Sequence, residues 1–281
     1  MTAPHRDDYL LGVNDIEIER LGLQHRVWRP RVLDAWRRAG FNVGQTLLDV
    51  GCGPGYATLD MAELVGPAGR VYAFDRSQRF LDVLEAKCRR RQMRHVTTAD
   101  RDLEADPLGV TGADGAWCRW VLAFLNRPGD LVRRIAAALR PGARFVSHEY
   151  FDYRTWRLSP RCPELEEFVA LVCRSWRESG GEPDAALDLP GYLREAGFHV
   201  ESHRPLIDVV RPSDYVWQWP ASFLASGLQR LTELGYLNAR RAQEIGEAFA
   251  ACERAPTTLM ITPAVLEIIA VRDAAATGRD G

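Results

Sequence analysis

Residues 47–55 read LLDVGCGPG, an apolar run carrying one acid that enters three glycines within five positions. The stretch QTLLDV, residues 45–50, has the short apolar ending of a buried parallel strand. Behind the glycines, YATLDMAELVG sets Leu59, Met61, Ala62, Leu64 and Val65 at helical spacing. In a strand, glycine turn and helix in that order, glycine lets backbone approach a ligand and the helix start offers unpaired N–H groups. The spacing is not the dinucleotide fingerprint G-x-G-x-x-G, because the sixth position from Gly51 is Tyr56. Asp49, just before the loop, is a poor neighbour for a pyrophosphate and a good one for an ammonium. The next apolar strand, RVYAFD at 70–75, ends in Asp75, twenty positions after Gly55, where an acid takes ribose hydroxyls. The pattern therefore asks for a nucleoside with a charged amino-acid tail.

LLDVGCGPG resembles the first motif of class I S-adenosylmethionine-dependent methyltransferases, and VYAFDRS looks like their second strand. RDLEADPL, residues 101–108, resembles their adenine-binding acidic motif. GAWCRWVLAFLNRPGDLVRRIAAALRPGARFV, residues 115–146, is similar to their fourth strand, following helix and fifth strand. The resemblance covers about residues 9–150 as an alternating β/α series, and four motifs in order are far more specific than glycines alone. YLLGVNDIEIERLGLQ near the start is similar to a leader of some small-molecule members.

The resemblance implies an α/β fold, a Rossmann-like seven-stranded methyltransferase sheet with helical lid insertions. It implies S-adenosyl-L-methionine as cofactor and S-adenosyl-L-homocysteine as product. Gly51, Cys52 and Gly53 would pass under the methionine part, with Asp49 near its ammonium. Asp75 would hold the ribose, with Arg76 alongside, and Asp102 with Leu103 would meet the adenine. TADRDLEADPL also offers Asp100; Asp102 is preferred because DLEADPL then aligns without a gap. Cys118 and Arg119 end the fourth strand, near the cofactor's amino-acid end. Tyr9 and Gln24 belong to an N-terminal segment that closes over the cofactor in this fold, or else to a surface helix.

The expected organisation is a helical cap at 1–40, a cofactor-binding core at 41–150 and a helical lid segment at 151–190. A helix end and sixth strand follow at 191–210, a helical lid insertion at 211–256, a final strand at 257–273 and a flexible tail at 274–281. Pro263 predicts a break or bulge within the last strand. Ligands of open α/β sheets bind outside the carboxyl ends of the strands, which draws attention to HEYFDY at the end of the fifth strand. His148 is the first candidate base because its ordinary pKa is near neutrality, followed by His25 and Tyr150. Trp120, Tyr153, Trp217, Trp219 and Phe223 are expected around the acceptor, although a helical aromatic stripe also suits plain core packing.

A formal net charge of −2 over 281 residues disfavours a dedicated nucleic-acid binder. KCRRRQMRH, residues 87–95, reads as a solvated helix end. The six cysteines show no metal or redox spacing, HEY has no spaced metal partner, and no apolar run approaches a membrane span. With a polar, acidic start, these features predict a soluble cytoplasmic protein without metal. Balanced charge and the aromatic insertion favour in-line methyl transfer to a small, aromatic or apolar, secondary-metabolite-like acceptor. The alternatives are an RNA or other nucleic-acid methyltransferase, although residues 118–121 are CRWV rather than an Asn-Pro-Pro-Tyr type motif, and a non-catalytic protein that binds the same cofactor. Oligomeric state is not written in the sequence.

Overall fold

The computed structural model describes residues 14–274. Tyr9 and all but the first residue of the expected tail lie outside the described residues. Helix α1, Asp15–Arg38, begins where the Asn14 side chain accepts from the Glu17 amide at 2.8 Å. Then come β1 (Thr46–Val50), α2 (Tyr56–Val65), β2 (Arg70–Asp75), α3 (Gln78–Arg91) and β3 (Val96–Asp100). The second half of the core is β4 (Ala113–Arg119), α4 (Pro128–Ala138) and the long β5 (Leu139–Asp152). The chain continues through β6 (Arg157–Ser159), α5 (Pro163–Glu178), α6 (Leu189–Glu195), β7 (Phe198–Leu206) and β8 (Val209–Val210). It closes with α7 (Gln218–Glu233), α8 (Ala239–Arg254), β9 (Leu259–Ile261) and β10 (Ala264–Arg272).

Seven strands form one sheet in the order β3-β2-β1-β4-β5-β10-β7, parallel up to β5, with β10 antiparallel to both its neighbours. This is the seven-stranded Rossmann-like arrangement that the sequence predicts. The chain runs outward from β1 to β3, then restarts at β4 on the other side of β1. The crevice beyond the carboxyl ends of β1 and β4 is thus the point where strand order reverses. At Thr262 and Pro263 the last strand breaks as expected. Its first piece, β9, leaves for a small sheet ordered β6-β9-β8, which the sequence pattern did not announce.

Apolar spacing explains the layers. Val50, Leu47 and Leu48 are fully buried in the sheet, and α1 lays Trp28, Val32 and Trp36 against it, with Trp36 edge-on to Trp117 of β4 at 5.5 Å. Helices α5, α7 and α8 pack on one another, and α7 packs on α1. No helix among the described residues is long and apolar enough to cross a membrane.

The glycine loop sits between β1 and α2. Gly55 takes φ 80°, and a Cβ there would meet Leu84 Cδ1 at 2.2 Å, whereas Gly53 at φ 53° has nothing within 4 Å of an added Cβ. Gly55→Ala is therefore expected to lower unfolding stability by ~2–5 kcal/mol, through left-handed strain plus overpacking, and Gly53→Ala by only ~1–2 kcal/mol. Denaturant titration checks this; equal losses would mean that Leu84 yields without cost.

Candidate functional site

A cavity of about 810 Å³ opens at the strand-order reversal. One part of its wall is the glycine loop and the ends of the first three strands: Asp49, Gly51, Cys52, Gly53, Asp75, Arg76, Asp100, Asp102 and Leu103 all line it. The loop is tied down by its own backbone. The Gly51 and Cys52 amides both donate to the Phe74 carbonyl at 2.9 Å, and the Gly53 amide donates to Asp75 Oδ2 at 2.8 Å. The other Asp75 oxygen accepts from the Ser77 amide at 2.9 Å, so the carboxylate is fixed while keeping lone pairs for further donors.

The rest of the wall is aromatic. Trp120, Tyr150, Tyr153, Trp156, Trp176, Trp219 and Phe223 line it. Trp120 stacks on Tyr150 at 5.3 Å and on Trp219 at 5.6 Å, with the planes within 13° and 11°. Arg20 and Gln24 of α1 and Arg119 of β4 stand on the same wall.

Residues 47–142 match the family described as "Methyltransferase domain". The chain is 40% identical over 186 residues to the demethylmenaquinone methyltransferase of Anoxybacillus flavithermus, a match over 62% of this chain and 77% of that protein. The chain belongs to the class I S-adenosylmethionine-dependent methyltransferases. It is also 30% identical over 204 residues to a 37.1 kDa protein of transposon TN4556 from Streptomyces fradiae, covering 71% of this chain but only 56%, about half, of that relative. The geranyl diphosphate C-methyltransferase of Streptomyces coelicolor superposes with a TM-score of 0.55 at 16% identity, over 88% of this chain and 81% of the other, which shows the shared fold.

This methyltransferase binds S-adenosylmethionine, and the cavity fits it on three observations. The open side of Gly53 leaves room for backbone to meet a ligand. Acids stand at the ends of β1 and β2 and at and just beyond the end of β3. Arg119 presents a guanidinium whose Nη1 is shut off from solvent with no partner.

Electrostatics follow from burial. Asp49 is almost fully buried, and burial raises its pKa to about 6 against the hydrogen bond from Thr58 Oγ1 at 2.6 Å. Burial lowers Arg119 to about 10, with Asp49 opposing. Burial holds the Tyr153 phenol well above its ordinary range. Burial also raises Glu149 to about 7, although its Oε1 accepts from the Val121 and Leu122 amides at 2.8 and 3.0 Å.

Several expected site residues lie elsewhere. His148 is fully buried and does not line the cavity: Trp117 at 4.8 Å and Trp28 at 5.6 Å cover its ring. Its Nε2 lies 3.0 Å from Glu267 Oε2 on β10, and burial depresses its pKa, so it is a neutral donor inside the sheet layer rather than a base within reach of an acceptor. His25 is also off the wall, held between Asp60 and Arg119. Cys118 is buried within β4 behind the wall. Trp217 turns away, donating from Nε1 to Glu253 at 2.6 Å and packing on Phe249 at 5.7 Å.

Sequence reasoning missed Arg20, Trp156 and Trp176 on the wall, and Asp60 behind it. Arg20 and Gln24 are one helical turn apart, which places them on one face, and Arg20 Nη1 donates to Gln24 Oε1 at 2.9 Å. That spacing was the available signal. Trp176 carried none, since its position in the α5 stripe is the same for core and for cavity wall.

Glu149 supplies a pH test. Its folded pKa lies above the ordinary carboxylate value, so the native chain retains a proton that the unfolded chain has lost between about pH 4.5 and 7. Its contribution therefore becomes destabilising as pH rises through that window. Glu149→Gln, which keeps an acceptor for Val121 and Leu122, should exceed the parent in stability at pH 8 by on the order of 1–3 kcal/mol, the gain shrinking toward pH 5. Unfolding curves at both pH values measure it; a gain independent of pH would show that Glu149 is ionised in the fold.

Proposed function

We propose that this methyltransferase transfers the methyl group of S-adenosylmethionine to a small, flat, largely apolar acceptor. The observation that carries this reading is one continuous cavity, acid-lined at the glycine loop and aromatic toward α5 and α7. Relatives named as demethylmenaquinone methyltransferases, and a structural neighbour named for geranyl diphosphate, are in keeping with a small-molecule acceptor.

On this reading Gly51 and Gly53 lie under the methionine part and Asp49 faces its ammonium. Asp75 takes the ribose hydroxyls, and Asp102 or Asp100, with Leu103, meets the adenine. Arg119 takes the carboxylate. Trp120, Tyr150, Tyr153, Trp219 and Phe223, with Trp156 and Trp176, sandwich the acceptor. S-adenosylmethionine supplies a methyl group already activated on a sulfonium. An acceptor lone pair or carbon nucleophile forms the new bond to that carbon while the carbon–sulfur electron pair returns to sulfur. Any proton the acceptor carries leaves to water at the cavity mouth.

The chain's own work is alignment and exclusion of water. No histidine lines the wall among the described residues. Tyr153, held as a neutral phenol, donates a hydrogen bond to acceptor oxygen rather than removing a proton. Helices α5 and α7 act as the lid over the acceptor.

Calorimetry should show binding of S-adenosylhomocysteine and none of NAD, and Asp75→Ala should weaken the former by ~1–3 kcal/mol. Tight NAD binding would overturn the cofactor assignment. With methyl-labelled S-adenosylmethionine and a panel of phenolic, quinol and amine acceptors, label should enter flat apolar acceptors. Trp219→Ala should raise the acceptor KM at least tenfold while sparing cofactor affinity, as expected for loss of a large aromatic wall. An unchanged acceptor KM would remove α7 from the acceptor site.

A further inference from the structure

Arg119 makes no ion pair with any carboxylate of the described residues, and only its Nη2 has a hydrogen-bond partner among them: His25 Nδ1, at 3.2 Å. A guanidinium only donates, so Nδ1 is the acceptor and the ring proton sits on Nε2. That Nε2 lies 3.0 Å from Asp60 Oδ2, which also accepts from Arg29 Nε at 2.8 Å. The His25 ring stacks on Tyr56 at 6.1 Å, and the Arg119 guanidinium lies 5.0 Å from the Trp120 ring centroid. Three elements are thereby joined: His25 on α1, Asp60 on α2 and Arg119 at the end of β4. The guanidinium is held in one orientation on the cavity wall, beside the strand that leads into the glycine loop.

A cation in this position with unpaired nitrogens is costly to desolvate, and a ligand carboxylate relieves that cost through charge-assisted bonds. We propose that Asp60 and His25 are positioning residues that fix the Arg119 guanidinium to receive the carboxylate of the cofactor's amino-acid end. The inference rests on the reading of this cavity as the S-adenosylmethionine site. It gives His25 a task other than proton removal: its neutral ring is a strut, with Asp60 setting its tautomer.

The test compares two ligands by calorimetry: S-adenosylhomocysteine, which carries the amino-acid end, and methylthioadenosine, which lacks it. Asp60→Asn and His25→Gln should each weaken S-adenosylhomocysteine binding about tenfold to a hundredfold, the range for a lost hydrogen bond to a charged group, and leave methylthioadenosine binding unchanged. His25→Asn, whose amide oxygen stands near the place of Nδ1, should retain more affinity than His25→Gln. Adding His25→Gln to Arg119→Leu should cause no further loss, because both remove the same contact. Equal weakening of both ligands would mean that the trio only packs the fold, and unchanged binding of both would mean that Arg119 meets no cofactor carboxylate; either overturns the proposal. If the unsubstituted protein bound neither ligand, the cofactor reading itself would fail, and this proposal with it.

Discussion

The Gly53 amide donating to the Asp75 carboxylate, beside the paired bonds from Gly51 and Cys52 to the Phe74 carbonyl, locks the loop after β1 onto the end of β2. The rest of the site depends on this closure. It turns the chain sharply enough for α2 to start at Tyr56, and it leaves the open side of Gly53 free for a ligand. It also fixes the Asp75 carboxylate by two backbone donors, so that its remaining lone pairs point in set directions. A Cβ at Gly53 would enter open space, and one at Gly55 would drive into Leu84.

The cavity is electrically lopsided. Asp49, Asp75, Asp100 and Asp102 stand on the glycine-loop side, with Arg119 close enough to Asp49 to interact with it, whereas aromatic rings and Arg20 line the other wall. Arg20 is itself held by Glu17, with Nη2 to Oε1 at 2.6 Å, so α1 brings a compensated cation to the cavity. Such a division suits a ligand with an ammonium and a carboxylate in its amino-acid part and a polar ribose, with a second ligand that is flat and apolar. Of the helices around the cavity, α5 and α7 bring aromatic rings, Trp176, Trp219 and Phe223, whereas α1 brings Arg20, Leu21 and Gln24.

The order of strands and helices was legible because it rests on local spacing. Leu59 to Val65 repeat at helical period, the strand at 70–75 ends in an acid, and Pro263 cannot continue a ladder. That Asp49, Asp75 and Asp102 would meet at one cavity wall was legible because strand ends can be counted. What escaped was depth and direction. His148 and Tyr150 lie two residues apart on β5, on the same face by alternation. Yet Tyr150 reaches the stacked rings, while His148 sits one step deeper, roofed by Trp28 and Trp117 and tied to Glu267. That difference is set by how far α1 overlaps the sheet, which no local pattern records. Trp217 and Trp219 diverge for a related reason. Two residues along a helical path turn about 200°, so one ring meets α8 and the other meets the cavity. His25 was drawn toward catalysis by its chemistry, and only the three-dimensional pairing with Asp60 and Arg119 shows what it holds.

The account stands on one claim, that the acid-lined and aromatic parts of a single cavity hold the adenosyl ligand and the acceptor end to end. A crystal structure of the protein with S-adenosylhomocysteine tests it most directly. The account predicts ribose oxygens on Asp75, adenine beside Asp102 and Leu103, and the sulfur at the Gly51–Gly53 loop facing Trp120 and Tyr150. Adenine seated instead among Trp156, Trp176 and Phe223, with the glycine loop bare, would contradict it.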